Sequence, residues 1–222
     1  MNNMQLEENT IITCPLCSES GEFDHLQSPL GSEFWLCDQC DLIFMDREFL
    51  PDRIAEKDRY ETHQNGPQYP GYVTFLNRAI IPTLPYLNRD MLGLDYGCGP
   101  KPTLSILLER EGIKCDNYDP FFYPTLPQKK YDFVFSTETA EHFFDPRQEL
   151  MKIQNLLKPG GIFTIMTVVW QDEDDFSAWY YAKDFTHVSF YHQNTINQVC
   201  KLFGFELLFS DEKRVFCLRK TG

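Results

Sequence analysis

Four cysteines near the N-terminus have the spacing of metal ligands. Cys14 and Cys17 form one C-x-x-C pair, and Cys37 and Cys40 form a second. Two such pairs supply four thiolates on two tight turns, a set that holds Zn²⁺ in a closed tetrahedral site with no open position for chemistry. The sequence therefore predicts a structural zinc site. His25 is interpreted as a loop residue, because the cysteine set is already complete.

A second group of residues has the types and spacing of a nucleotide-binding site. An apolar run that starts at Met91 leads into Asp95, Gly97 and Gly99. In doubly wound folds, such a loop brings backbone N–H groups and a helix N-terminus close to a bound ligand. Asp119 follows Gly99 by twenty residues, a position from which its carboxylate can accept hydrogen bonds from a ribose diol. Together these features predict a site for a nucleotide-like molecule.

Two histidines in polar surroundings are candidates for a general base. His142 follows Glu141, and His187 follows Asp184 and Thr186. A neutral imidazole can take a proton from a reacting group near pH 7. Each has a structural alternative. His187 can be an imidazole that Asp184 satisfies, and Glu141 with His142 can begin a helix, with the acid at the positive end of its dipole.

The elements that position these residues alternate between strands and helices. Apolar or alternating runs predict strands that lead to Asp95, Asp119 and Thr137, and a buried strand is expected after Lys158. The last two strands are expected to form a hairpin. Helices are predicted from Tyr72 to Pro82, Pro100 to Gly112, Pro146 to Leu157 and Asn194 to Phe203. This order predicts an α/β fold, a Rossmann-like doubly wound sheet that is mostly parallel with an antiparallel edge hairpin.

Composition divides the chain into three parts. Residues 1–50 are predicted to be a small zinc ribbon, 51–71 a linker or a lid, and 72–222 the α/β domain. The linker region is polar and rich in turn residues. Its polar side chains are either surface decoration or part of an active-site lid, and they are Tyr60, His63, Asn65 and the adjoining Tyr72.

The charge of the chain limits its partners. The formal net charge is −13, and the first fifty residues carry ten acidic side chains against the single Arg47. Nucleic-acid affinity depends on Lys and Arg, so a small molecule is the expected partner. The acidic run at 172–175 is interpreted as a solvated loop. Without a leader or membrane span, and with cysteines suited to metal ligation and burial, the chain is expected to be cytoplasmic.

Four segments carry a family resemblance. They are LDYGCGP at Asp95, YDFVFSTETAEHF at Thr137, LKPGGIFTIMT after the next helix, and DFTHVSFYHQNTI around His187. With these motifs, the chain resembles the class I S-adenosylmethionine-dependent methyltransferases, in particular small members with an N-terminal zinc ribbon. One departure is Lys101, where relatives usually have a small or apolar residue.

The resemblance implies where the methionine and ribose parts of the cofactor bind. Gly97 and Gly99 would approach the methionine part, and Asp95 would hold its amino group directly or through water. Asp119 would bind the ribose hydroxyls. The resemblance therefore assigns the loop and the acid that follows it to one ligand, S-adenosylmethionine.

The resemblance also implies the adenine site and the reacting end. Pro120 and Phe121 would lie beside the adenine, and Thr137 and Glu138 would face the sulfonium and its methyl group. A Rossmann dehydrogenase is the competing interpretation of the loop, but it would normally carry a third glycine in the region of Lys101. The Lys-Pro-Gly-Gly turn also favours methyl transfer.

Three functions follow from the resemblance and the composition. The first is methylation of a small metabolite or nucleotide-linked sugar on oxygen, nitrogen or carbon. The second is methylation of an RNA base, against which the acidic ribbon argues. The third is a non-catalytic module whose ribbon and cofactor pocket serve assembly or sensing. Nothing in the sequence indicates an oligomeric state.

Overall fold

The computed structural model describes residues 11–62, 65–126, 128–171 and 175–222. The strands, in chain order, are β1 (Ile12–Thr13), β2 (Ser20–Gly21), β3 (Asp24–Gln27), β4 (Glu33–Leu36), β5 (Ile43–Met45), β6 (Leu92–Tyr96), β7 (Lys114–Tyr118), β8 (Tyr131–Thr137), β9 (Leu157–Met166), β10 (Ser189–Phe190), β11 (Phe205–Ser210) and β12 (Val215–Lys220). The α-helices are α1 (Arg53–Glu61), α2 (Pro70–Thr83), α3 (Thr103–Arg110), α4 (Pro146–Leu156) and α5 (Gln193–Phe203). None of these helices is both long and apolar enough to cross a membrane.

A six-stranded sheet forms the centre of the fold. Its strand order is β11-β12-β9-β8-β6-β7. Strand β6 pairs in parallel with β7 and β8, and β8 pairs in parallel with β9. Strand β12 is antiparallel to both β9 and β11. The predicted Rossmann-like sheet, mostly parallel with an antiparallel edge hairpin, is confirmed.

Helices cover both faces of this sheet because the central strands are apolar on both sides. Side chains of α2 and α3 pack in one cluster with Phe133 and Phe135 of β8. Val134, which points to the opposite face of the same strand, packs in another cluster with side chains of α4 and α5. The carboxyl ends of β6, β7 and β8 therefore lie side by side at one edge of a fully covered sheet.

Two proline-containing segments differ slightly from their predictions. Helix α3 begins at Thr103, so Pro100 and Pro102 precede the helix rather than occupy its first turn. The Lys-Pro-Gly-Gly segment follows α4 as predicted, but it lies inside β9 as an irregularity. Tyr131 pairs with Leu157, whereas Phe133 pairs with Ile162. The four residues between these partners therefore bulge out of the ladder.

The N-terminal region and the segment around His187 share a second sheet. Its strand order is β10-β5-β4-β3. Phe44 of β5 pairs with Ser189 of β10, and the Met45 N–H donates to the Val188 carbonyl at 2.8 Å. The division into 1–50, 51–71 and 72–222 stays a prediction about folding units, and these contacts join its first and third parts.

The segment predicted to be a linker contains helix α1. Its N-cap is Asp52, whose Oδ1 accepts hydrogen bonds from the N–H groups of Ile54 and Ala55 at 2.8 and 2.9 Å. The helix has no fully buried residue, so its sequence lacks the apolar stripe that predicts a helix. His63 and residues 172–174 of the acidic run lie outside the described residues.

Candidate active site

The four N-terminal cysteines lie together with the spacing of a tetrahedral metal site. The Sγ atoms of Cys14 and Cys40 are 3.7 Å apart, and those of Cys17 and Cys37 are 3.5 Å apart. Four sulfurs bound 2.3 Å from one tetrahedral ion are about 3.8 Å from each other. All the cysteines of the chain are free thiols. The cysteine set therefore fits a metal ion of this kind.

A cavity of about 720 Å³ opens at the carboxyl ends of β6, β7 and β8. Its volume is in the range of small-molecule sites. The residues predicted for the cofactor and for the general base all line it, and they are Asp95, Gly97, Gly99, Asp119, Pro120, Phe121, Thr137, Glu138, His142 and His187. The structure thus brings together residues that are up to 92 positions apart in the chain.

Asp95 ends β6 as a buried carboxylate that faces the cavity. Its side chain is almost fully buried, and Oδ1 has no hydrogen-bond partner among the described residues. Burial, together with the negative charge of Asp119, raises the pKa of Asp95 to about 7. An unpaired buried oxygen is costly. Asp95 is therefore suited to a ligand that brings a hydrogen-bond donor, above all a positively charged one.

The loop after β6 uses its two glycines for different reasons. Both have positive φ, +86° at Gly97 and +66° at Gly99, a region that L side chains rarely adopt. A Cβ on Gly97 would lie 2.3 Å from the Thr139 side chain, whereas a Cβ on Gly99 would meet nothing within 4 Å. Gly97 is therefore required for packing, and the backbone at Gly99 leaves space for a ligand.

Asp119 organises the loop as well as facing the cavity. Its Oδ2 accepts a hydrogen bond from the Gly99 N–H at 3.0 Å. Its Oδ1 accepts from the N–H groups of Phe121 and Phe122 at 2.8 and 3.1 Å. A carboxylate offers about four lone-pair positions, so roughly one remains for a ligand hydroxyl. The carboxylate therefore joins the ends of β6 and β7 before any ligand binds.

Glu138 follows β8 in a strained conformation. Its φ is +50°, which is unfavourable for a residue other than glycine and often marks a functional position. Its Oε1 accepts from Arg214 at 3.1 Å. Burial and the nearby Glu141 charge raise the pKa of Glu138 to about 8. The neighbouring Thr137 is the last residue of β8.

The His187 imidazole is held by a backbone carbonyl and not by the Asp184 carboxylate. Its Nδ1 lies 2.8 Å from the Tyr181 carbonyl oxygen, so this nitrogen carries the hydrogen. Burial and the neighbouring His142 imidazole lower the pKa of His187 to about 4. The imidazole is therefore neutral at pH 7 and keeps a lone pair on Nε2. The sequence analysis offered Asp184 as the hydrogen-bond partner of the His187 imidazole. That partner is wrong, because the imidazole bonds to the Tyr181 carbonyl.

Asp184 instead connects the His187 segment to helix α1. Its Oδ2 accepts from Arg59 Nε at 3.0 Å and from Arg59 Nη2 at 2.6 Å. The Arg59 guanidinium and hydrogen bonds from Thr186 hold the pKa of Asp184 at about 2, against the opposing effect of burial. Both arginine nitrogens share one carboxylate oxygen, and the contact is a charge-assisted hydrogen bond.

His142 lies beside His187 on a short 3-10 turn that spans Ala140–His142. The alternative that Glu141 and His142 begin an α-helix is therefore wrong. They belong to this tighter turn, and α4 starts only at Pro146. The centroids of the two imidazole rings are 4.9 Å apart. His142 Nδ1 lies 2.8 Å from the Thr186 carbonyl oxygen. The two candidate bases thus face the same part of the cavity.

Helix α1 contributes two cavity residues that the sequence analysis did not name, Arg53 and Glu56, and also Tyr60, which it named as part of a possible lid. The Arg53 Nη2 donates to the Pro120 carbonyl at 3.0 Å, and its guanidinium lies 4.8 Å from the Phe121 ring centroid. The Tyr60 ring lies between Phe121 and His142, with centroid distances of 5.7 and 5.0 Å. Of the residues named in the linker, Asn65 and Tyr72 also line the cavity.

The sequence and the fold both match known methyltransferases. Residues 69–209, well over half of the chain, match the family model described as a methyltransferase domain. No curated protein sequence matches the chain.

Two solved structures share the fold. The first is the Burkholderia thailandensis 1,6-didemethyltoxoflavin-N1-methyltransferase, solved with 1,6-didemethyltoxoflavin and S-adenosylhomocysteine. It is 14% identical with a TM-score of 0.52, over 91% of this chain and 100% of that one. The second is a complex between the Haloferax volcanii Trm112 methyltransferase activator and its proposed methyltransferase partner. The matched chain of this complex is 11% identical in sequence to the present chain, with a TM-score of 0.53. The match covers 78% of the present chain and 100% of the chain in the complex. At these identities, the likeness concerns the fold alone.

Fold, loop and family model agree on one assignment. The family model spans β6 to β9 and the two candidate histidines, and the sheet is mostly parallel with an antiparallel edge hairpin, as predicted. The chain belongs to the methyltransferase domain family and is an S-adenosylmethionine-dependent methyltransferase.

Proposed function

We propose that the enzyme methylates a small molecule bound in the part of the cavity that contains His142 and His187. The observation that carries this proposal is the continuity of the cavity. One space of about 720 Å³ is lined both by the predicted cofactor residues and by the two histidines. A donor and a small acceptor bound there would share one enclosed site, which favours alignment.

The residues at one end of this cavity fit S-adenosylmethionine. The unpaired Oδ1 of Asp95 suits the amino group of its methionine part, and the backbone at Gly99 leaves space for close approach. Asp119 keeps a lone pair for a ribose hydroxyl, and Pro120 and Phe121 would lie beside the adenine. The cofactor supplies a methyl group on a sulfonium, which already contains a good leaving group.

His187 is the better candidate for the general base. It is neutral at pH 7, its Nδ1–H is fixed on the Tyr181 carbonyl, and it lines the cavity with Nε2 able to accept a proton. General-base catalysis typically contributes about 10²–10⁴-fold to a rate. His142 has a similar arrangement on the Thr186 carbonyl and is the second candidate. Thr137 and Glu138 would border the reacting methyl group.

The four cysteines are proposed to hold a structural Zn²⁺. Their spacing fits a tetrahedral ion, and Cys14, Cys37 and Cys40 are buried, which suits a closed site and not a catalytic one. Free thiols throughout the chain agree with a reducing compartment such as the cytoplasm.

Affinity for the cofactor is expected to fall below pH 7. The raised pKa of Asp95 means that below about pH 7 its carboxyl carries a proton in the free enzyme. That proton must leave before the carboxylate can pair with an amino group, so affinity should fall roughly tenfold per pH unit below 7. Calorimetric titration with S-adenosylhomocysteine from pH 5.5 to 8 measures this affinity as a function of pH. The Asp95→Asn variant should bind more weakly with a flat pH profile. An equal slope in that variant would assign the pH dependence to another group.

The acceptor is identified by labelling. The full chain is incubated with S-adenosylmethionine carrying a labelled methyl group and with fractionated small molecules of its host, and the labelled product is identified by mass spectrometry. A labelled small molecule supports the proposal. Label found only in RNA, or cofactor binding with no labelled product in any fraction, would reject it in favour of the other two functions.

A further inference from the structure

Three hydrogen-bond acceptors converge in the part of the cavity formed by Glu141, His142 and His187. One ligand atom of each residue lies within 4.8 Å of the other two. All three residues line the cavity. The cluster is therefore built to meet a ligand, and its chemistry depends on which of its atoms carry hydrogens.

Both imidazoles direct their hydrogens away from the cluster. The Nδ1 atoms of His142 and His187 lie 2.8 Å from the carbonyl oxygens of Thr186 and Tyr181. A carbonyl can only accept, so each Nδ1 is the donor, and in a neutral imidazole Nε2 is then an acceptor. The low pKa of His187, about 4, keeps that ring neutral at pH 7.

Glu141 contributes a buried oxygen without a donor. The side chain is fully buried. Its Oε1 accepts from the Tyr181 hydroxyl at 2.5 Å, whereas Oε2 has no hydrogen-bond partner among the described residues. Leaving a buried charged acceptor unpaired costs about 1–3 kcal/mol or more. The cluster thus offers three lone pairs and lacks the hydrogens that would satisfy them.

We propose that this cluster binds a protonated primary amino group of the methyl acceptor. An –NH₃⁺ group offers three tetrahedrally arranged donors. Acceptors about 2.9 Å from its nitrogen are about 4.7 Å from one another, and one nitrogen or oxygen atom from each of the three residues lies within 4.8 Å of the other two. This inference rests on the proposed function, because it concerns the acceptor of that same cavity.

The charges of the cavity point to the same class of acceptor. Among the described residues, Arg53 is the only lysine or arginine that lines the cavity, and it is engaged with Pro120 and Phe121. The lining also contains the carboxyl groups of Glu56 and Glu138. The cluster therefore offers no cation for a phosphate or carboxylate, and an amine fits it better than a nucleotide-linked sugar.

The test measures binding at the cluster itself. The full chain, with zinc and saturating S-adenosylhomocysteine, is labelled with ¹⁵N at its five histidines, and long-range proton–nitrogen spectra report the tautomer of each ring. Methylammonium and tetramethylammonium chloride are the probes, because they carry the same charge but only the first has N–H donors. The His142→Gln and His187→Gln variants assign the two rings.

Methylammonium is expected to shift the Nε2 resonances of both His142 and His187. It should bind at least about tenfold more tightly than tetramethylammonium. The Glu141→Gln variant should lose this preference. Equal affinity for the two probes, no shift at either Nε2, or an unchanged preference in Glu141→Gln would overturn the proposal. A shift produced by one equivalent of added Zn²⁺ would make the cluster a metal site and would also overturn it. The labelling experiment described for the proposed function separates the two failures, because a labelled small molecule without an amino group would reject only this inference.

Discussion

Replacement of Cys37 by serine is expected to unfold the N-terminal ribbon and to abolish methyl transfer, although Cys37 is not among the residues that line the cavity. Structural zinc sites contribute about 10–16 kcal/mol to folding, which is as large as the total stability of a typical domain. The buried Cys14, Cys37 and Cys40 belong to the same core cluster as Leu94 and Tyr96 of β6. Losing the proposed ion should therefore weaken the core of the central sheet as well.

Unfolding of the ribbon should also displace His187, because the ribbon and the segment that carries His187 share one sheet. Strand β10 begins two residues after His187 and pairs with β5. Thr195, near the start of α5, donates to the Cys40 carbonyl at 2.7 Å. Metal analysis and scanning calorimetry test the expectation, with a decrease in Tm of at least about 10 °C. The matched control is Cys200→Ser, a half-buried thiol of α5 that is not one of the four N-terminal cysteines, which should change Tm by only a few degrees. Full activity in a zinc-free Cys37→Ser enzyme would show that the ribbon is dispensable.

Asp119→Ala is expected to weaken binding of S-adenosylhomocysteine by at least about 100-fold. The substitution removes an acceptor from three backbone N–H groups, and hydrogen bonds to charged groups contribute about 1.5–3 kcal/mol each. Without it, the N–H of Gly99 and those of Phe121 and Phe122 lose their partner. The loop should then open, and the ribose should lose its carboxylate. Isothermal titration calorimetry measures the change.

Two further variants separate the local effect from a general one. Asp119→Asn keeps an acceptor oxygen and should bind with intermediate affinity. Asp116→Ala removes a carboxylate three residues earlier, which accepts from the Tyr131 hydroxyl and pairs with Lys129. Its affinity should stay within about threefold of the parent. A similar loss in Asp116→Ala and Asp119→Ala would indicate damage to β7 and not removal of a ligand contact.

The parts of the fold that the sequence predicts are those that short-range patterns determine. The two cysteine pairs, the glycine loop after Asp95 and the acid at Asp119 each depend on a few neighbouring residues. Strand β8 spans Tyr131–Thr137, the segment that its alternating and then apolar pattern predicted. These signals predict which residues meet at the proposed cofactor end of the cavity, since the ends of adjacent parallel strands must meet at one edge.

The rest depends on contacts that no local pattern encodes. Helix α1 lies over the cavity through polar contacts of Arg53 and Arg59, so it has no apolar stripe to reveal it. Its one local signal is the Asp52 N-cap. The partner of His187 proved to be the Tyr181 carbonyl, and backbone acceptors cannot be identified from side-chain types. The pairing of Phe44 with Ser189 joins residues 145 positions apart, a separation beyond the reach of motif analysis.

Helix α1 is fastened at both ends, which has a kinetic consequence. Arg53 fastens it to the Pro120 carbonyl beside the predicted adenine site, and Arg59 fastens it to Asp184 in the segment that carries His187. Because both ends are held, movement of this helix away from the cofactor site would also expose the acceptor site, and the reverse. Release of product cofactor and of methylated acceptor should therefore share one gate. Because part of that gate is a partly exposed ion pair, its opening rate should increase with ionic strength.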